Sequence, residues 1–112
     1  MTGCAAHSVI IDQAVVQNET LGIISQVKVL HLPTEKFGEV HSILPQSSFD
    51  LGFSRQPMLG KSAIITWTSE NGQENKVELA LPGVPATDAK DRTMRLVYTI
   101  HPGGNVTVQL EE

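Results

Sequence analysis

The sequence is short of several features, and each shortage excludes a class of protein. Cysteine occurs once among 112 residues, so no disulfide can form within the chain and the fold must rest on its core. No uninterrupted apolar stretch approaches the roughly 20 residues of a membrane-spanning helix. The eight basic residues form no run and are outnumbered by twelve acidic ones, giving a net charge of −4. Nucleic acid and anionic lipid are therefore poor candidates as binding partners.

What the sequence does contain is a repeated alternation of apolar and polar residues. The hydrophobic fraction of 40% and charged fraction of 18% are typical of one globular domain. From residue 26 onward the alternation has a period of two, which predicts strands with one buried and one polar face. Six segments show this pattern: residues 26–32, 48–53, 61–69, 75–81, 93–101 and 105–111.

The connections between these segments predict how the strands are arranged. Asn71-Gly72 is a strong hairpin signal, and Pro102-Gly103-Gly104 predicts a second hairpin at the C-terminus. The polar, proline-containing stretch 81–91 is too long for a tight hairpin and indicates a crossing between two sheets. Residues 34–40 predict a short helical turn with Phe37 facing inward. Together these signals predict an all-β fold, a small antiparallel β-sandwich of six to seven strands.

The two hairpins are similar in architecture to strand pairs of immunoglobulin-like and fibronectin-like domains. In those domains a buried tryptophan on one sheet faces a tyrosine-bearing strand on the other. The likeness implies that Trp67 and Tyr98 lie at the centre of the core. The inward positions of the alternating segments complete the predicted core: Ile65, Val77, Leu79, Met94, Leu96, Val106 and Val108.

The single cysteine stands in an unusual context at the start of the chain. Thr2, Gly3 and Cys4 are followed by Ala5, and this stretch resembles the lipobox of bacterial lipoprotein precursors, although Met1 stands where leucine is usual. The resemblance implies that Cys4 carries a lipid on the periplasmic face of the bacterial outer membrane. It also implies that residues 1–20 are a signal-peptide remnant and flexible tether, with the sandwich domain spanning 21–112. The alternative is a chance cysteine in a cytoplasmic protein.

The sequence offers no set of residues for catalysis or for a cofactor. It contains no nucleophile elbow and no convincing pair of acidic residues for acid–base chemistry. The three candidate histidines, His31, His41 and His101, lack the spacing of metal ligands on one helix face or in one tight loop. We therefore expect a protein that is not an enzyme and that holds neither a metal nor a cofactor.

One segment stands out as a candidate protein-binding patch. Exposed methionine, proline and aromatic side chains beside an arginine are typical of binding loops. The candidate residues are Phe53, Arg55, Gln56, Pro57, Met58 and Leu59. The alternative is that this segment is only a loop or edge strand that closes one end of the sandwich.

Two functional hypotheses follow from the sequence. The first is a lipid-anchored, non-catalytic cell-envelope protein that acts as an assembly or accessory subunit by binding another envelope protein. The second is a soluble β-module without an anchor that binds a small ligand or carbohydrate. One tryptophan and one tyrosine are few for stacking on a sugar, which favours the first hypothesis.

Overall fold

A computed structural model of the chain describes residues 9–56, 61–82 and 92–111, and every regular element in these ranges is a strand. Within the described residues there is no helix long and apolar enough to cross a membrane. The eight strands are β1 (Val9–Asn18), β2 (Ile24–Leu32), β3 (Phe37–Ile43), β4 (Ser47–Gln56), β5 (Ser62–Thr68), β6 (Glu74–Ala80), β7 (Arg92–Ile100) and β8 (Val106–Glu111).

The strands form two four-stranded sheets that enclose one core. The first sheet has the order β4-β1-β7-β8 and the second the order β3-β2-β5-β6. All neighbouring strands are antiparallel except β1 and β7, which run parallel. The predicted small β-sandwich is confirmed, with eight strands instead of the expected six to seven.

The hairpins and the sheet crossing are also confirmed. β5 pairs with β6 across Asn71-Gly72, where Gly72 has a φ of 90° that favours glycine. β7 pairs with β8 across a turn that contains Gly103 and Gly104, both at positive φ. β6 ends in the second sheet and β7 begins in the first, so the connection after Leu81 crosses between the sheets.

The predicted tether is wrong where the structure describes it, because residues 9–18 form a strand inside the first sheet. β1 pairs with β4 on one side and with β7 on the other. Its residues Ile11, Ala14 and Val16 are buried in the core. The register shifts between Ile11 and Gln13, so the alternation changes phase within the strand. This bulge explains why a period of two is not visible there in the sequence.

The helical turn predicted for residues 34–40 is also wrong. Phe37 begins the edge strand β3 and pairs with Leu30 of β2. Its side chain is 53% exposed, and Lys28 Nζ lies 4.8 Å from the centre of its ring. Pairing with β2 therefore overrides the local signal for a helical turn, and Phe37 lies outside the core.

Most of the predicted core is confirmed. Trp67 of β5 and Tyr98 of β7 are both buried, and they come from opposite sheets. Of the remaining predicted residues, those near the edges of the sandwich are only half-buried: Val77, Leu79 and Val108. The others are buried: Ile65, Met94, Leu96 and Val106.

Candidate functional site

The alternating directions of the strands bring four connections to the same end of the sandwich. These connections are residues 19–23, 44–46, 69–73 and 101–105, and we call this region the loop end. Two of them join the sheets, and the other two are the hairpin turns of β5–β6 and β7–β8. Residues far apart in the sequence therefore meet at the loop end.

A buried asparagine holds the first of these connections against the end of β3. Asn18 is completely buried, and its Nδ2 donates hydrogen bonds to the carbonyl oxygens of Gly22 and Ile43, at 2.9 and 3.0 Å. Its Oδ1 accepts a hydrogen bond from the backbone N–H of Thr20 at 3.0 Å. Because both polar atoms of the amide are engaged, Asn18 fixes the path of the chain through residues 19–23 relative to β3.

A glutamine from the neighbouring turn completes this network. Gln46 has a φ of 60° and donates from its backbone N–H to the carbonyl oxygen of Asn18 at 2.7 Å. Its Nε2 lies 3.2 Å from the carbonyl oxygens of both Glu19 and Thr20. The side chain of Gln46 thus joins the connections 19–23 and 44–46 by hydrogen bonds.

These two joined connections expose apolar side chains. Leu21 is 91% exposed, Leu44 is 60% exposed and Ile23 is 38% exposed. We call these three residues the apolar tip. Single exposed apolar residues are ordinary, but these three stand on two loops that are joined by hydrogen bonds.

A cleft of about 450 Å³ opens beside the apolar tip, between the loops of the two sheets. We call it the end cleft. Its apolar floor includes Ile24 and Trp67, which are almost completely buried. The rest of its lining is mainly polar or glycine: Thr20, Gly22, Ser69, Glu70, Asn71, Gln73, Asn75, Gly103 and Gly104, together with Ile23 of the tip. The volume lies within the range of small-ligand sites in proteins.

Glu70 brings a negative charge to the rim of the end cleft. Its Oε2 accepts a hydrogen bond from the backbone N–H of Ile23 at 3.2 Å, which links the β5–β6 turn to the apolar tip. Gly22 allows this close approach, since a Cβ at that position would lie 3.1 Å from the Cβ of Glu70. None of the four connections at the loop end contains lysine or arginine, whereas Glu19 and Glu70 both lie there. The loop end is therefore an acidic surface.

A bulge in β2 lies directly opposite Trp67. The register of β2 against β5 shifts between Ser25 and Lys28, so that two residues of β2 face one residue of β5. One of the two, Gln26, has a φ of 50°, in the left-handed region that non-glycine residues rarely adopt. A second, smaller cleft of about 350 Å³ lies here and shares Trp67 and Asn75 with the end cleft.

The histidines do not gather into a site. His31 is completely buried, while His41 is exposed on β3. His101 lies in the β7–β8 turn, where its Nε2 is 2.8 Å from Thr107 Oγ1. No group of three or more His, Cys, Asp or Glu residues that could hold a metal ion occurs in the described ranges.

His31 forms a hydrogen-bonded link across the core. Its Nδ1 lies 3.0 Å from the carbonyl oxygen of Lys36, and its Nε2 lies 2.8 Å from the hydroxyl of Tyr98. A carbonyl only accepts, so Nδ1 carries the proton and Nε2 accepts from the tyrosine. Burial lowers the pKa of His31 and raises that of Tyr98, which keeps both side chains neutral.

Several of the candidate residues from the sequence lie outside the described part of the chain. Cys4 lies outside the described residues, as do Pro57, Met58 and Leu59. The backbones of Phe53, Arg55 and Gln56 belong to β4 near its C-terminal end, and their side chains are outside the described part of the structure. β4 runs away from the loop end, so its last residues lie at the opposite end of the sandwich.

The apolar tip is a feature that sequence reasoning missed. A signal was present, because Leu21 and Ile23 flank a glycine and Leu44 precedes a proline, so these apolar residues stand where turns are expected. The signal is not enough by itself, because only the pairing of β1 with β4 brings residues 19–23 beside the β3–β4 turn.

The chain is similar in fold to a protein of known structure. No family model and no curated protein sequence matches the chain. One solved structure, described as the NMR structure of the protein from Eubacterium rectale, is similar with a TM-score of 0.56 and 15% sequence identity. The similarity covers 88% of this chain and 86% of that chain. At this level of identity the likeness shows a shared fold alone.

Proposed function

We propose that this protein is a non-catalytic binding module of the bacterial cell envelope that docks another envelope protein at its loop end. The single observation that carries the proposal is the exposure of Leu21, Leu44 and Ile23 on two connections joined by hydrogen bonds. Apolar side chains held in this way favour contact with a partner that would remove them from water.

The apolar tip favours binding of a partner through its rigidity as well as through its apolar side chains. The side chains of Asn18 and Gln46 together bind four carbonyl oxygens and one N–H group of the surrounding backbone. A surface that is ordered before it binds loses less conformational entropy on association. The charge of the loop end supports a protein partner over a membrane, since anionic lipid attracts lysine and arginine, and none lies in these connections.

We further propose that Cys4 is the site of lipid attachment, on the outer membrane. The direction of β1 supports this arrangement, because the strand begins at Val9 at the end of the sandwich opposite the loop end. Five residue steps separate Cys4 from Val9, a reach of at most about 18 Å. A lipid on Cys4 would therefore hold the opposite end close to the membrane and direct the apolar tip toward the periplasm.

Site-specific photocrosslinking tests the docking proposal. A photoreactive amino acid is introduced at Leu21 or Leu44, and the protein is illuminated in envelopes of the organism that makes it. We expect an adduct of the same mass from both positions. The crosslinker is then placed at Ile23. From this position the double variant Leu21→Ser/Leu44→Ser should give much less of this adduct than the chain that keeps both leucines.

The control for this experiment places the crosslinker at Glu78, an exposed residue in the middle of β6. We expect no adduct of that mass from Glu78. Equal labelling at all positions would show random collision, and absence of an adduct at the tip would overturn the proposal.

Lipid attachment is tested separately by labelling cells with palmitate. The full-length precursor should incorporate label and partition with membranes, and Cys4→Ser should abolish both. A precursor that takes up no label would contradict the anchor while leaving the docking proposal in place.

The second function, a soluble ligand- or carbohydrate-binding module, receives support from the polar rim of the end cleft. The aromatic residues that could stack on a sugar argue against this second function, because Trp67 is 3% exposed and Tyr98 is completely buried. Neither ring can offer its face to a sugar. We therefore favour a protein partner.

A further inference from the structure

The end cleft next to the apolar tip has the character of a receptor for one basic side chain. We propose that it binds a lysine or arginine side chain of the partner protein while the tip contacts neighbouring apolar residues. This inference rests on the proposed function, and it adds the chemistry that the partner must present.

The layering of the end cleft matches the two parts of such a side chain. Lysine and arginine have an apolar stem and a charged head. The apolar side chain of Ile23, 38% exposed, lines the end cleft together with the carboxylate-bearing side chain of Glu70. A stem lying against Ile23 would bring its charged head to this carboxylate.

The charge of the cleft decides the sign of the ligand. Glu70 is its charged lining residue, and among the described residues no lysine or arginine forms an ion pair with it. One oxygen of Glu70, Oε2, accepts from the N–H of Ile23. A carboxylate accepts about four hydrogen bonds in total, so Oε1 stays available to a cation. An anionic ligand would meet this carboxylate with no compensating charge in the surrounding connections.

The hydrogen bond to Ile23 also couples the cleft to the apolar tip. It fixes the carboxylate relative to an exposed apolar side chain, and Gly22 leaves the space that Glu70 requires. A partner segment with a basic residue next to apolar residues would therefore satisfy both surfaces at once. A neutral polar ligand would gain nothing from the charge.

Titration of the full chain with two matched probes tests the inference. The first probe is N-acetyl-arginine methylamide, and the second is the citrulline analogue, which has a similar shape but no charge. Amide chemical shifts are followed by NMR at low salt. We expect saturable shifts for residues 22–24, 69–75 and 103–104 with the arginine probe and none with the citrulline probe.

Two isosteric variants locate the charge that is responsible. Glu70→Gln should weaken binding of the arginine probe by about fivefold, the effect of losing a partly exposed ion pair. Glu74→Gln, which removes an exposed carboxylate that lines only the smaller cleft, should leave binding unchanged. Glutamine retains an oxygen for the Ile23 N–H, so the spectrum of Glu70→Gln should otherwise match that of the wild type.

Several results would overturn this inference. They are equal binding of the citrulline probe, shifts that map away from the end cleft, absence of saturable shifts, or equal losses from Glu70→Gln and Glu74→Gln. If crosslinking at the tip succeeds while the arginine probe does not bind, the docking proposal stands and the basic-residue inference fails. If the probe binds and the tip gives no adduct, the cleft is a cation site and the docking proposal fails.

Discussion

The Nε2 of His31 in one sheet lies 2.8 Å from the hydroxyl of Tyr98 in the other, and both side chains are completely buried. This hydrogen bond crosses the middle layer of the sandwich, which is otherwise mainly apolar. The direction of this hydrogen bond is fixed because Nδ1 of His31 donates its hydrogen to the Lys36 carbonyl oxygen, which leaves Nε2 as the acceptor. Two residues 67 positions apart in the sequence thus satisfy each other where water is absent.

Removing the Tyr98 hydroxyl should destabilise the fold. Tyr98→Phe removes the buried hydrogen bond to Nε2 of His31, and we expect a loss of about 1–3 kcal/mol in the free energy of unfolding. Chemical denaturation measures it. Thr107→Ala is the matched control, since it removes a histidine hydrogen bond of the same 2.8 Å length at the surface. The loss there should be below about 0.5 kcal/mol, and equal losses would contradict the role of burial.

Acidification should weaken the fold through His31. Burial lowers the pKa of His31 below 6.5, and the hydrogen bond from Nδ1 to Lys36 opposes part of this effect. The unfolded chain therefore binds a proton before the folded chain does as the pH falls through about 6.5. The free energy of unfolding should decrease from that pH downward until the folded pKa is reached. His31→Gln should show a smaller decrease between pH 7 and about 5, and identical slopes would refute the assignment.

Two glutamines with similar backbone angles should respond differently to glycine. Gln26 and Gln46 have φ values of 50° and 60°, and in this region the backbone is strained for glutamine but not for glycine. Gln46→Gly also loses two side-chain hydrogen bonds to the connection 19–23, whereas the contact of Gln26 with Thr68 is long, at 3.5 Å. In thermal denaturation, the Gln26→Gly variant should be more stable than the Gln46→Gly variant by about 1–2 kcal/mol in the free energy of unfolding. The reverse order would show that the network at Gln46 is unimportant.

Trp67 should be among the most costly core residues to truncate. Trp67→Ala removes a large side chain that is 3% exposed, and we expect a loss of about 3–5 kcal/mol. The same variant should disturb the end cleft, because Trp67 forms part of its floor. An unchanged thermal midpoint would show that the indole does not pack as described.

A chain that begins at residue 21 should not fold. It lacks β1, which lies between β4 and β7 in the first sheet and contributes Ile11, Ala14 and Val16 to the core. Its amide NMR spectrum should be poorly dispersed, as in an unfolded protein. A well-dispersed spectrum from residues 21–112 would restore the domain boundary that the sequence predicted.

The sequence by itself determined the fold class, both hairpins and most of the core. These follow from local rules, since a strand shows its buried face in every second residue and a tight turn requires glycine at positive φ. Such features depend on residues that are neighbours in the chain.

Only the tertiary structure decided the place of β1, the extended form of β3 and the composition of the loop end. A bulge between Ile11 and Gln13 hides the alternation of β1, and pairing with β2 outweighs the helical signal at Phe37. The end cleft joins Thr20, Glu70 and Gly104, whose proximity depends on strand direction and sheet order. No local pattern encodes that proximity, because it arises from pairings between segments tens of residues apart.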